Sequence, residues 1–174
     1  MKIYKNFNID KRFKNSAIGI GNFDGFHLGH QRVLKIGKKI AKKNNVNFGL
    51  MVFHPLPVMY FNKKIKNFRI DSLKQKISSA KNYGIDFLII KKFDYNFSKI
   101  LAKDFIEKII YKKLNTKLIF ISKNFRFGKN RKGNINTLKQ NEKNFYYKTI
   151  ISKPLKKNNR VLSSSIIRKN ISVG

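Results

Sequence analysis

The chain has 174 residues, 41% of them apolar, and this length favours a single domain with a sizeable core. It contains no cysteine and only three histidines, which excludes disulfides and a catalytic thiol and leaves little material for a structural zinc site. No apolar run approaches the length of a membrane span, and the charged first twelve residues do not form a signal peptide. We therefore expect a cytoplasmic protein without a membrane partner.

The net charge is +32, from 40 Lys and Arg against 8 Asp and Glu. Such a charge is typical of nucleic-acid-binding proteins. The excess is mostly lysine scattered along the chain, however, and it accompanies abundant Asn, Ile and Phe, as an AT-rich coding sequence produces by default. Arginine, which suits bidentate contacts to phosphates and base edges, is the minority. We expect no specific nucleic-acid partner, although the positive field attracts anionic ligands.

Apolar runs of strand type alternate with segments of helical periodicity. In chain order, the pattern predicts a strand at 16–20, a helix at 28–43, a strand at 46–53, a helix at 71–83, a strand at 87–90, a helix at 102–114, strands at 118–121 and 145–151, and a helix from Ser164. Pro55 and Pro57 stop the second strand, Asp71 or Ser72 caps the second helix, and Gly84 ends it.

Strands separated by helices of this length predict βαβ units. The expected fold is α/β, a Rossmann-like parallel sheet with helices on both faces, in one domain over residues 1–174. In such sheets, ligands bind beyond the carboxyl ends of the strands, where the strand order reverses. The loops that follow the strands are therefore the places to look for a site.

The loop after the first strand, residues 21–30, has the sequence GNFDGFHLGH. It is not a dinucleotide fingerprint, because Asp24 stands where the third glycine would be needed, and it is not a P-loop. His27 and His30 lie three residues apart at the start of a helix, beside free backbone N–H groups, and Gly29 between them lets a phosphate chain approach. Chance proximity, with one histidine capping the helix, is the alternative. The adjacent Asn22 and Asp24 favour an anion site.

Four segments in order resemble the prokaryotic FMN adenylyltransferases, the N-terminal module of bifunctional riboflavin kinase/FAD synthetases within the HxGH nucleotidyltransferase superfamily. Residues 21–31 (GNFDGFHLGHQ) resemble the opening motif, and residues 52–57 (VFHPLP) resemble its TFxPHP strand end. Residues 124–133 (NFRFGKNRKG) are similar to its (D/N)FRFGxxRxG loop. Residues 162–168 (LSSSIIR) are similar to its closing motif, VSSTxIR. The spaced phenylalanines Phe93, Phe97 and Phe105 also match. The resemblance implies transfer of AMP from ATP to FMN, giving FAD and pyrophosphate with Mg²⁺.

For the nucleotide, the expected catalytic residues are His27, His30 and Arg168. Hydroxyls and N–H groups that open the last helix suit a phosphate, although a serine there is also a common simple N-cap. Asp24 is a tentative magnesium ligand, with a local backbone cap as the alternative. The full set predicted to bind ATP is Gly21, Asn22, Phe23, Asp24, His27, Gly29, His30, Ser164, Ser165 and Arg168.

For the flavin, the predicted residues are Phe53, His54, Pro55, Asn124, Phe125, Arg126 and Phe127. An F-R-F stretch can also be a plain edge strand with core phenylalanines. We expect one of Phe125 and Phe127 to be in the core, and the other to face the flat ring system together with Asn124.

The chain departs from the family at several positions. Leu56 stands where the family usually has His, although His54 could partly substitute, Ser122 replaces Gly, and Ser165 and Ile166 replace the usual Thr and Arg. The chain stops where the riboflavin kinase barrel would begin, so we expect no phosphorylation of riboflavin and a kinase supplied by another protein. Two alternatives stay open: an HxGH nucleotidyltransferase with a different acceptor, and a non-catalytic flavin- or nucleic-acid-binding descendant.

Overall fold

A six-stranded parallel sheet forms the centre of the molecule in our computed structural model, which describes residues 1–65, 68–152, 156–157, 160–161, 164 and 166–168. Its strands are β1 (Lys2–Tyr4), β2 (Ala17–Ile20), β3 (Phe48–His54), β4 (Phe87–Lys92), β5 (Leu118–Ser122) and β6 (Lys148–Ser152). A short antiparallel ribbon, β7 (Lys156–Lys157) and β8 (Arg160–Val161), follows them.

The strand order is β1-β4-β3-β2-β5-β6, with every pairing parallel. From β2 the chain builds outward through β3 and β4, and it then crosses to the other side of β2 to form β5. The strand order therefore reverses between β2 and β5. The expected Rossmann-like α/β fold is confirmed, and the carboxyl ends of β2 and β5 mark its ligand-binding edge.

The helices connect consecutive strands. They are α1 (Leu28–Lys43), α2 (Pro57–Phe61), α3 (Leu73–Asn82), α4 (Tyr95–Ser98), α5 (Ala102–Asp104), which continues as π-helical turns over Phe105–Lys113, and α6 (Ile135–Gln140). The described residues of the last segment, Ser164 and Ile166 to Arg168, are also helical. Within the described part of the chain, no helix is both long and apolar enough to cross a membrane.

The core is divided into two layers by the sheet, because successive residues of a strand point to opposite faces. Ile18 and Ile20 belong to the layer that packs against the π-helical Ile106 and Ile110. Ala17 and Phe120 belong to the opposite layer, where they share a cluster with Leu34 of α1. Because both faces of the sheet are buried, the strands are continuous apolar runs in the sequence.

Local signals set several helix ends. The structure confirms α1 at 28–43, as its apolar spacing predicts. The second predicted helix begins at Leu73, because Ser72 and Gln75 form a capping box.

Some elements were not predicted from the sequence. Pro57, which the sequence predicts only as a strand stop, is the first residue of α2. The strand predicted at 145–151 begins only at Lys148, because residues 141–146 form turns and the Tyr147 hydroxyl donates a hydrogen bond to the Leu138 carbonyl. Edge strand β1 and helix α6 are too short to leave a periodic signal.

Candidate active site

The loop between β2 and α1 leaves the sheet at the reversal point. Its backbone is unusual, since Phe23 and Phe26 have positive φ angles of 42° and 37°. Non-glycine residues adopt such angles only where the surroundings enforce them, and such residues cluster at functional sites. Gly25 has φ +79°, and a Cβ there would lie 2.7 Å from Ile70, so the loop packs closely against the segment that precedes α3.

His27 and His30 lie together at the start of α1, with Gly29 between them in the first turn. Their rings stack with centroids 3.8 Å apart and planes 25° apart. Phe23 supports the pair from the protein side, with its ring centroid 5.1 Å from that of His30. The Nδ1 atoms of both histidines are buried without a hydrogen-bond partner among the described residues. Buried polar atoms without a partner are uncommon, and such atoms are found at catalytic sites.

Both imidazoles are neutral at physiological pH. Burial, together with the nearby His27 and Lys76, lowers the pKa of His30 to about 3. Burial also lowers the pKa of His27, an effect that Asp24 opposes and Arg168 reinforces. Two cations at this ring distance would repel each other, so the geometry favours uncharged rings.

Asp24 joins the loop to the last described helix, 144 residues further on. Its side chain is 1% exposed, and its Oδ2 accepts a hydrogen bond of 2.8 Å from Nη1 of Arg168. Both carboxylate oxygens also accept weakly from the Ile70 amide, at 3.2 and 3.3 Å. The Asp24 carbonyl accepts a hydrogen bond of 3.0 Å from the hydroxyl of Ser164. The loop of residues 21–30, the histidine loop, is therefore adjacent to Ser164 and Arg168 of the last described helix. Ser165 lies outside the described residues.

The same carboxylate does not fit a magnesium site. Its oxygens already accept hydrogen bonds from protein donors, and Lys76 Nζ lies 3.9 Å from Oδ1. A hard cation needs several free oxygen ligands. In the described part of the chain, no cluster of three or more His, Cys, Asp or Glu side chains could hold a metal ion. Asp24 as a magnesium ligand stays a prediction, and these contacts do not favour it.

A cavity of about 760 Å³ opens beside the loop at the same edge of the sheet. Its lining is mostly aromatic and aliphatic, with a polar rim. From the predicted sets, it includes Gly21, Asn22, Phe53, Asn124, Phe125, Arg126 and Phe127, and it adds Pro57, Val58, Phe61, Asn62, Phe93, Phe97, Ser98, Ile100, Phe105, Ser122, Gly128, Asn130 and Arg131. The size and the lining are typical of a small-molecule site.

The F-R-F stretch divides between core and cavity, as expected. Phe127 is 7% exposed and belongs to the core layer, while Phe125 is only partly buried and stacks on it at 5.6 Å. Asn124 and Arg126 are exposed at the rim of the cavity. Gly128 turns the chain with φ +73°, where a Cβ would lie 2.7 Å from the Ala102 amide nitrogen.

Three predicted ligand residues take other positions. The side chain of Phe23 is 5% exposed and supports His30 from within the core, so only its backbone borders the loop. His54 is half-buried and its Nδ1 lies 3.1 Å from Nη1 of Arg69. Neither His54 nor Pro55 is among the described residues that line the cavity. Leu56 is 1% exposed, so the position that carries His in the family faces the core here.

Two groups of site residues were not predicted from the sequence. Val58 and Phe61 of α2 line the cavity, and no helical signal was visible because this five-residue helix begins at Pro57, two residues after Pro55. Lys76 of α3 is buried beneath the histidine loop. The burial of Lys76 gives no signal in the sequence, because the neighbouring lysines are typical of a solvent-exposed helix face.

The parallel sheet, its reversal point and the paired histidines there define an α/β protein of the nucleotidyltransferase-like fold. The chain matches the FAD synthetase family over residues 9–166. It is 43% identical over 163 residues to the bifunctional riboflavin kinase/FMN adenylyltransferase of Buchnera aphidicola subsp. Schizaphis graminum, covering 93% of this chain and 52% of the relative. It is 32% identical over 161 residues to the enzyme of the same name from Bacillus subtilis, covering 91% and 50%. The chain belongs to the FAD synthetase family, and it spans about half the length of these relatives.

Solved structures share the fold. A crystal structure described as a macrolide-efflux protein from Streptococcus pneumoniae superposes with a TM-score of 0.82 at 25% identity, covering 97% of this chain and 55% of that one. Pantoate-beta-alanine ligase from Francisella tularensis superposes with a TM-score of 0.61 at 16% identity, covering 98% and 73%. The second likeness concerns the fold alone.

Proposed function

We propose that this chain is an FMN adenylyltransferase that makes FAD from FMN and ATP. A phosphate oxygen of FMN attacks the α-phosphorus of ATP and forms a new P–O bond. The bond from that phosphorus to the oxygen of the β-phosphate breaks, and pyrophosphate leaves. Such a transfer needs positioning and stabilisation of charge rather than covalent participation of the protein.

One observation carries the proposal: a single loop belongs to both halves of the site. Gly21 and Asn22 line the aromatic cavity, and the same loop continues to Asp24, His27 and His30. A flavin in the cavity and a triphosphate at the histidines would therefore meet along this loop. The adjoining arrangement is what an in-line attack requires.

The histidine pair is proposed to donate hydrogen bonds to the phosphate oxygens of ATP. The buried Nδ1 atoms have no described protein partner that would compete with a ligand. Negative charge close to an imidazole favours its protonated form, so a bound triphosphate raises the lowered pKa values of His27 and His30. The rings then become better donors as charge develops on the phosphoryl oxygens.

Arg168 and Ser164 are proposed to complete the phosphate site from the last helix. Nη1 of Arg168 is bound to Asp24, and the other N–H groups of the guanidinium have no hydrogen-bond partner among the described residues, so they can face a phosphate. The ring of Phe68 lies 4.0 Å from the guanidinium carbon and keeps the group flat against the protein. ATP is expected to arrive as its magnesium complex.

The flavin is proposed to lie in the aromatic cavity, against Phe125 and Phe53. Flat apolar rings suit a flat ring system, and Asn124 offers both a donor and an acceptor to its polar edge. Because Leu56 faces the core and His54 is bound to Arg69, neither supplies an imidazole to this cavity.

The test is FAD formation by the purified chain from FMN, ATP and Mg²⁺, followed by chromatography, with CTP and riboflavin in parallel reactions. We expect FAD with ATP and FMN only. His30→Ala should reduce the rate at least about 100-fold, as loss of a charge-stabilising donor does. Leu28→Ala is the matched control, because Leu28 is 51% exposed in the same helical turn. Absence of FAD with the unaltered chain refutes the proposal.

A further inference from the structure

Lys76 is an unusually buried lysine. It is 3% exposed, whereas Lys74 and Lys81 on the same helix are exposed to solvent. Burial of an ammonium group is unfavourable unless the charge is paired and its N–H groups have acceptors. Its partners therefore indicate why the fold retains a charge at this position.

The ammonium group lies beneath the histidine loop. Its Nζ donates hydrogen bonds to the carbonyl oxygens of Asn22, at 3.0 Å, and Phe23, at 2.6 Å. It also forms an ion pair of 2.9 Å with Asp71 and lies 3.9 Å from Oδ1 of Asp24. The lysine thus donates two hydrogen bonds, both to the backbone of the loop, and its charge is paired with Asp71.

These contacts fix the part of the loop whose backbone is strained. Phe23 has a positive φ angle, and its carbonyl points into the protein rather than to solvent. Without Lys76, the buried carbonyl of Phe23 and the part-buried carbonyl of Asn22 would lose this donor, which favours a different loop conformation. His30 stacks on Phe23, so a shift of this backbone moves the histidine pair.

The charges give Lys76 a second effect on the same loop. Asp24 has two cationic neighbours among the described residues, and they differ in exposure to solvent. The side chain of Arg168 is 22% exposed, and that of Lys76 is 4% exposed. When the other N–H groups of Arg168 bind a phosphate, its guanidinium is shared between the phosphate and Asp24, so it offsets less of the Asp24 charge. The buried ammonium, which also pairs with Asp71 at 2.9 Å, stays 3.9 Å from Oδ1 of Asp24 and continues to offset its charge, so the loop keeps its conformation.

We propose that Lys76 is a positioning residue for nucleotide binding, which holds the carbonyls of Asn22 and Phe23 and serves as the permanent counter-ion of Asp24. This proposal rests on the proposed function, because it assigns the loop to the nucleotide. Lys76 acts through the loop and does not touch the substrate.

The experiment compares Lys76→Met with Lys74→Met, the same substitution on the exposed face of the same helix. We expect Lys76→Met to lower kcat/KM for ATP by a factor of about 10 to 100, as a small displacement of positioning groups does. The KM for ATP should rise more than the KM for FMN, because only Asn22 of the two held residues also lines the aromatic cavity. Lys74→Met should stay within about twofold of the unaltered chain. An equal rise of the KM values for ATP and FMN, or an unchanged kcat/KM for ATP, overturns the proposal.

The double variant Lys76→Met/Asp71→Asn separates positioning from charge balance. It removes the ion pair of Lys76 with Asp71 without leaving the Asp71 carboxylate unpaired, so its melting temperature should recover relative to Lys76→Met. The carbonyls of Asn22 and Phe23 still lack their donor, so kcat/KM for ATP should stay low. Recovery of both quantities overturns the proposal. Failure of both variants to fold also overturns it, since Lys76 would then determine the fold rather than the loop.

NMR spectra of the histidine side chains keep this test independent of the proposed function. Lys76→Met should shift the imidazole signals of His27 and His30, and Lys74→Met should not. If the unaltered chain makes no FAD but the signals shift, the proposed function fails and the positioning role stands. If FAD is formed and the signals stay unchanged in Lys76→Met, the positioning role fails alone.

Discussion

The lowered pKa of His30 predicts that protonation of this imidazole contributes to destabilising the folded chain in acid. The unfolded chain binds a proton at His30 below about pH 6.5, whereas burial keeps the folded ring neutral down to a pKa of about 3. The unfolded state therefore holds more protons between these values. The free energy of unfolding falls as the pH falls through this window.

The size of the effect follows from the same two pKa values. Each pH unit below about 6.5 costs about 1.4 kcal/mol, so His30 alone contributes a loss of about 2 kcal/mol at pH 5. For a chain of this length, that loss corresponds to a fall in melting temperature of roughly 4–8 °C. His27 and His54, whose pKa values are also lowered, act in the same direction.

The perturbation is His30→Gln, and the assay is urea unfolding at pH 7 and at pH 5 for both chains. Gln does not titrate, so the variant should lose about 2 kcal/mol less than the unaltered chain between the two conditions. Lost packing against Phe23 and Phe26 destabilises the variant equally at both pH values and cancels in the comparison. Equal pH dependence of the two chains would refute the assignment of a neutral, buried His30.

Three further outcomes are expected. Phe125→Ala should raise the KM for FMN about tenfold and leave the KM for ATP unchanged, which steady-state kinetics with each substrate varied in turn will check. Asp24→Asn should lower the free energy of unfolding by about 1–3 kcal/mol in urea titrations, because Arg168 loses its buried carboxylate partner while Lys76 keeps its ion pair with Asp71. Gly128→Ala should cost about 1–3 kcal/mol by the same measurement, since φ is +73° and the Ala102 backbone is too close; a neutral substitution would contradict that strain.

The elements with strong periodicity were predictable. Helix α1 matches its predicted bounds because its apolar residues recur at helical spacing and lysines fill the other face. The strand before it was predictable because burial on both faces of a parallel sheet requires a continuous apolar run. Helix α2 was not, because Pro57 is compatible with both a strand stop and a first helical residue.

The candidate site divides in the same way. The residue types of the histidine loop and the F-R-F stretch were sufficient to predict an anion site and an aromatic surface. The burial of Lys76 was not predictable, because a lysine among lysines carries no signal of its environment. The partners of Asp24 were equally hidden, since Arg168 lies 144 residues away in the chain.

The amino-acid sequence by itself determined the alternation of strands and helices, the family, and the short motifs that carry the chemistry, because each of these depends on neighbours within a few residues. Only the tertiary structure decided which groups meet. It paired Asp24 with Arg168 rather than leaving it free for a metal, turned Leu56 to the core, and buried Lys76 under the loop. These outcomes depend on the balance of desolvation and pairing between distant segments, and that balance exists only once the chain is folded.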